Sequence, residues 1–211
     1  MHFIQRGGHK VIDLDKPIRE IIQEAFNEGC ERVQFLLSKK MYEESLKEIE
    51  KELRKNPNNQ LCRILKAFAL LSLNRPSEAL GEVNYILRLD PSNAVAHALK
   101  AWALNNLSVL EDADYLDEAL REIDLALSKS SDISLFHYIR GVILAGLGRY
   151  EESVRELDEA LRLRPNEKVY REAKEAVLKY LNSSRKIGFL EKFVLFMNAL
   201  MDSMVNRDDS D

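Results

Sequence analysis

Ser134–Asn166 reads SLFHYIRGVILAGLGRYEESVRELDEALRLRPN. Each half carries apolar residues at the three- and four-residue spacing of one helix face, which predicts two amphipathic helices. Leu147-Gly148-Arg149-Tyr150 lies between them as a tight turn, and Pro165 stops the second helix. Gly141 stands where the two helices can cross closely, with the small residues Ser153 and Ala160 on the facing side.

The same arrangement recurs towards the N-terminus. Pro57 and Pro91 are 34 residues apart, and so are Ser45 and Ala79, small residues of two earlier second helices. Periodicity predicts helices at Tyr42–Lys55, Gln60–Leu73 and Pro76–Leu89, with stops at Asn56-Pro57-Asn58-Asn59 and Asp90-Pro91. A third unit starts near Ala94, places Ala101 in the register of Ala67, and has its second helix at Leu116–Ser128. Between its helices Leu107–Asp114 is extra, so the step from Ala101 to Gly141 is 40, or 34 plus 6. This insertion is expected to form an exposed bulge, since loops accept added length at small entropic cost. Four units then cover Phe26–Glu167.

A helix-turn-helix unit of about 34 residues recurring in phase resembles the tetratricopeptide repeat. The turn chemistry supports the resemblance: Lys40-Met41-Tyr42-Glu43-Glu44-Ser45 matches Gly148-Arg149-Tyr150-Glu151-Glu152-Ser153. The departures are Gly29, Arg63, His97 and His137 in the slot of a large aromatic, Val33 at a crossing position, and Ser131 in place of a terminal proline. The resemblance implies an all-α, right-handed superhelical solenoid whose first helices line a concave groove. On that geometry the groove is apolar: Leu61, Ile64, Phe68 and Leu71, then Val95, Ala98 and Trp102, then Leu135, Tyr138 and Val142.

Composition narrows the function classes. Of 211 residues 45% are hydrophobic and 31% charged, so the chain can build a core. A net charge of -4 argues against general nucleic-acid binding, which needs a basic face. No run of about 20 apolar residues predicts a membrane span, and Met1–Leu14 lacks the apolar core of a signal peptide. Two cysteines, Cys30 and Cys62, make no disulfide scaffold. A cytoplasmic setting is expected.

The division expected is a flexible arm at 1–14, a repeat domain at 15–181 opened by Asp15-Lys16-Pro17 and closed by a capping helix Lys168–Leu181, an apolar helix within 182–205, and an acidic tail at 206–211. Asn182-Ser183-Ser184 is read as the break after the capping helix. Ile187, Leu190, Val194, Met197, Met201 and Met204 follow at spacings of 3, 4, 3, 4 and 3, a seam suited to helix packing. Phe189, Phe193, Phe196 and Leu200 widen it, while Glu191, Lys192, Asn198 and Asp202 oppose a membrane span.

No catalytic, cofactor or metal constellation emerges. Gly146-x-Gly148 is read as an interhelical turn, and Glu111, Asp112, Asp114, Asp117 and Glu118 lack the glycine and alternation of a calcium loop. His2 and His9 have no companion ligands. His97 and His137 are read as packing residues, and Arg32, Lys66, Lys100 and Arg140 as cations whose heads pair with second-helix glutamates. The functional expectation is a non-catalytic scaffold holding a protein or peptide partner in the apolar groove. The alternative is a self-association module dimerising through its C-terminal helix. The groove lacks the lysine, arginine and asparagine clamp that family members present to acidic chaperone tails, offering Cys30, Gln34, Leu65, Val95 and Leu99 or, with the frame shifted by one unit, Ile64, Phe68, Leu99, Leu135 and Ile139, so such tails are not expected as ligands.

Overall fold

The computed structural model describes residues 31–110 and 114–183, and every regular element among them is a helix. In chain order these are α1 (Glu31–Ser38), α2 (Tyr42–Lys55), α3 (Gln60–Ser72), α4 (Pro76–Leu89), α5 (Ala94–Leu110), α6 (Leu116–Lys129), α7 (Ser134–Gly146) and α8 (Tyr150–Leu163), followed by α9 over 168–183. Odd-numbered helices are the first helices of successive units and even-numbered ones the second, stacked into one helical solenoid.

Local chemistry sets the ends. Asn59 and Asn93 cap α3 and α5, each side-chain oxygen accepting a backbone N–H three residues on, from Cys62 at 3.1 Å and Ala96 at 2.9 Å. Pro76 opens α4, where its missing N–H costs nothing. Acidic residues fill the first turns of α2, α6 and α8, and basic ones their last turns, as the helix dipole favours. The turns inside three units share one geometry. Lys40, Asn74 and Gly148 have φ of 59°, 58° and 74°. The next residues, Met41, Arg75 and Arg149, donate to carbonyls five positions back, on Leu36, Leu70 and Leu144. This left-handed closure satisfies carbonyls that the helix end leaves open.

The units are held by close crossings. Ala67, Ala101 and Gly141 on the first helices are buried against Ala79 and Val83, Ala119 and Ile123, and Ser153 and Leu157 on the second. At Gly141 a Cβ would lie 2.9 Å from Leu157 Cγ, and the Ser153 hydroxyl donates to the Gly141 carbonyl at 2.7 Å. The close approach is the physical reason for glycine there.

Two boundaries differ from expectation. Residues 107–110 are not an exposed bulge but the last turn of α5, which runs 17 residues against 13 in α3 and α7. Leu104 and Leu107 are both buried, so the apolar stripe continues for another turn and carries the helix with it. Residues 111–113 lie outside the described residues. The helix α9 likewise continues through Asn182 and Ser183, where a break was expected; the Ser183 hydroxyl donates to the Lys179 carbonyl at 2.9 Å instead of ending the helix. In sequence register α9 is a fifth first helix, since Arg171 and Lys174 follow His137 and Arg140 by 34. Tyr170, fully buried, stacks on Tyr138 at 4.9 Å and closes the described stack.

Candidate functional site

The apolar face of the first helices is assembled as one surface. Leu61, Ile64, Phe68 and Leu71 lie on α3, Val95 and Trp102 on α5, and Leu135, Tyr138 and Val142 on α7. Rings run along it: Trp102 and Tyr138 lie 6.1 Å apart and Tyr138 stacks on Tyr170. Burial pushes the Tyr138 phenol far above its ordinary range and Tyr170 up to about 12, so both stay neutral. This face is not an open, wet trough. Phe68, Leu71, Trp102, Leu135 and Tyr138 are only 2–6% exposed, while Leu61, Ile64, Val95 and Val142 are half-buried. Ile64, Phe68, Leu71, Val95, Leu99 and Trp102 are among the walls of a small apolar cavity that leaves about 20 Å³ for the centre of a water-sized sphere. Such a space is about one water wide and has no polar wall to hold it. The expected C-terminal seam, Ile187, Leu190, Phe193, Val194, Met197, Leu200, Met201 and Met204, lies outside the described residues.

The opposite edge of the first helices is polar and repeats as strictly. Arg63 sends Nη1 to Glu82 at 2.5 Å and Nη2 to the Pro57 carbonyl at 2.7 Å. His97 places Nδ1 2.6 Å from Glu122 and Nε2 3.0 Å from the Pro91 carbonyl. His137 repeats this with Glu156 at 2.8 Å and the Ser131 carbonyl at 2.9 Å, and Arg171 reaches the Pro165 carbonyl at 3.2 Å. In each case the carbonyl lies six residues back, across the corner between units. A carbonyl only accepts, so Ser131 serves as well as the prolines.

The same glutamates take the second cation of each first helix. Lys66 pairs with Glu82 at 2.9 Å, Lys100 with Glu122 at 2.6 Å, and Arg140 with Glu156; Arg32 lies 3.4 Å from Glu48. These cations are thus paired as the sequence reading had them, and the ladder is not a row of open anion sites. Burial pushes the Glu122 and Glu156 carboxyls up, but the paired cations win and hold both below the ordinary range. His137 faces two acceptors, so both ring nitrogens must donate; the Glu156 carboxylate holds its pKa above the ordinary value against the opposing effect of burial. The shared glutamate was missed in the sequence. Its signal is Glu82, Glu122 and Glu156 at one register, each three residues after the small residue Ala79, Ala119 or Ser153.

Among the described residues no group of three or more His, Cys, Asp or Glu is placed to hold a metal, and no helix is long and apolar enough to cross a membrane. Cys62 is buried within α3; Cys30 lies outside the described residues.

Residues 134–167 match the family model described as Tetratricopeptide repeat. The chain thus carries a tetratricopeptide repeat at 134–167 and has the fold of tetratricopeptide repeat proteins. No curated protein matches it. Solved structures of the same fold do. The tetratricopeptide repeat protein TTC0263 of Thermus thermophilus is 21% identical with a TM-score of 0.63, over 81% of this chain and 82% of that one. The first such domain of human RPAP3 is 20% identical with a TM-score of 0.54, over 62% and 98%. YrrB, described as a TPR protein with an unusual peptide-binding site, is 24% identical with a TM-score of 0.53, over 68% and 71%. At these identities the likeness is one of fold.

Proposed function

We propose that this repeat protein is a non-catalytic scaffold that holds a partner peptide or helix against the apolar face of its first helices. One observation carries the reading: Ile64, Phe68, Val95, Trp102, Leu135 and Val142, from three successive units, form one apolar surface with no charged side chain among them. A surface of that kind favours an amphipathic helix presenting anchors at i, i+3, i+4 and i+7. The cations of the first helices are spent on second-helix glutamates, so an acidic tail finds no clamp. YrrB, of the same fold, is described as having a peptide-binding site, which agrees with this use of the architecture. The reading includes the division into arm, repeat domain, C-terminal helix and tail, and a cytoplasmic setting.

Selection from a displayed peptide library tests it. The expected winners are amphipathic helices whose binding falls at least about tenfold when Ile64, Val95 or Val142 is changed to Glu, since a buried unpaired charge is costly. These three are half-buried, so the fold should tolerate the change. Acidic winners, or binding indifferent to all three substitutions, would overturn the reading. The second reading, dimerisation through Ile187–Met204, is favoured by the seam spacing. Light scattering on the full chain decides it: a monomer mass at all concentrations removes it.

A further inference from the structure

We propose that Asn105 sets the register of the partner by pairing with one side-chain amide, an Asn or Gln, placed within the apolar stripe of the bound helix. The inference rests on the reading of the apolar face as the partner site and adds the chemistry a partner must carry there.

Asn105 stands on α5 in the row of that face, 34 residues after Leu71 and 40 before Ala145, which are the two repeat steps of the chain. It is 9% exposed, and Trp102, one turn before it, is 6% exposed. Neither the Asn105 amide nor the Trp102 indole N–H has a hydrogen-bond partner among the described residues. No side-chain nitrogen or oxygen sealed from water lacks a partner there, so the free groups of both residues come to the surface. The surface left to α5 is the apolar face, because α4 and α6 cover it from behind and α3 and α7 flank it.

The fold gains nothing from asparagine at this position. Asn is a weaker helix former than Leu or Ala, since its amide competes for backbone groups, and Leu71 and Ala145 show that the slot takes an apolar residue. What Asn105 supplies is a free amide in the middle of an apolar surface, with the Trp102 N–H about 4.5 Å away along the axis at ~1.5 Å per residue. In water both groups are hydrated. A partner that covers the face strips that water, and an amide then left unpaired costs more than the bond it would otherwise make. A purely apolar stripe therefore binds poorly in any register that lays an aliphatic side chain on Asn105.

A side-chain amide fits the place. Its N–H donates to the Asn105 carbonyl, and its own carbonyl accepts from the Asn105 N–H or the Trp102 N–H. A carboxylate fits badly: it offers no donor to the Asn105 carbonyl, and it brings a charge onto a face whose first-helix cations are held by second-helix glutamates. One Asn in the apolar seam of paired helices fixes their register by the same physics.

The test displays a library of amphipathic helices, with each stripe position free to be Leu, Ile, Val, Met, Asn, Gln or Glu, and selects it on the full chain. The expected winners carry one Asn or Gln in the stripe. Changing that residue to Leu should weaken binding to wild type at least about tenfold, and should leave binding to the full-length Asn105→Leu variant unchanged or tighter. Asn105→Ala should give the same exchange. The two variants install the residues of the equivalent slots, Leu71 and Ala145, and circular dichroism checks that both keep the helical content of wild type. Winners with an unbroken apolar stripe, or with Glu in it, overturn the proposal and leave the face as the partner site. So does an amide whose loss costs the same on wild type and on both variants. A library that yields no binder at all overturns the face itself, and the register with it.

Discussion

The third and fourth units build one geometry from different residues. The fourth crosses its helices through Gly141, Ser153 and Leu157, the third through Ala101, Ala119 and Ile123, all six buried. The third unit has one methyl group more on its first helix and one hydroxyl fewer on its second: glycine faces serine and leucine, alanine faces alanine and the isomeric isoleucine. The pair of facing side chains sets the approach, and no single consensus residue does. The polar edge differs in the same way. Arg140 reaches back to Asp124 of the preceding unit at 2.7 Å, and Lys174 repeats this with Asp158 at 2.5 Å. For the third unit the corresponding slot on the preceding helix, α4, holds Asn84, and Lys100 turns to Glu118 at 3.2 Å within its own unit. The fourth unit is therefore ion-paired to its predecessor where the third unit's lysine pairs inside it.

The contrast can be broken most severely at Leu157. Leu157→Ala should destabilise the chain by about 2–5 kcal/mol, read by chemical denaturation, because a fully buried side chain leaves a cavity against Gly141. In that background Gly141→Ala should cost less than in wild type, or stabilise, because its Cβ fills the gap. An additive double mutant would mean that the two side chains do not set the crossing.

Next in size is the His137 bond. A group whose folded pKa is raised stabilises fully below its unfolded value, about 6.5 for imidazole, and loses that contribution as pH rises through the folded value. Glu156, whose folded pKa is lowered, contributes above the ordinary carboxylate range and loses it as pH falls through the folded value. The pair is worth most between the two ordinary values. His137→Gln should cost about 1–2 kcal/mol at about pH 5.5, and less as pH rises to about 9. A cost that is flat with pH would show that the bond does not depend on the ring's charge.

Gly141→Ala alone should cost about 1 kcal/mol, since overpacking of ~1–3 kcal/mol is partly offset by the better helix propensity of alanine, ~1 kcal/mol. Ala101→Gly in the third unit should cost about 1 kcal/mol with no steric part. Smallest is Ser153→Ala, which makes the fourth unit resemble the third and removes one hydrogen bond, for about 0.5–1 kcal/mol.

The helix pairs were legible because their signals are local. Proline at Pro76, the turn residues at Gly148-Arg149-Tyr150 and the 34-residue recurrence need no knowledge of neighbours. The end of α5 was not legible, since Asn105-Asn106-Leu107-Ser108 has the composition of a loop. Only the stack shows that Asn105 and Leu107 are buried and extend the helix. For the candidate face, the sequence placed Phe68, Trp102 and Tyr138 on one surface, while their near-complete burial depends on contacts between units. On the polar edge, the cations and histidines stood out one by one, and their shared glutamates were hidden because each sits in a different helix.

The donors Arg63, His97, His137 and Arg171 each close a loop onto a carbonyl six residues earlier. Those four loops act as a gauge of chain length: a residue added to or removed from any inter-unit corner would pull the donor off its carbonyl and, for Arg63, His97 and His137, out of reach of its glutamate. None of these four loops spans the turn between α5 and α6, and the added length of the chain lies there and in the last turn of α5. A fluorescent domain or an affinity tag spliced into this molecule belongs between α5 and α6, where the spacing of the stack is not written into the loop.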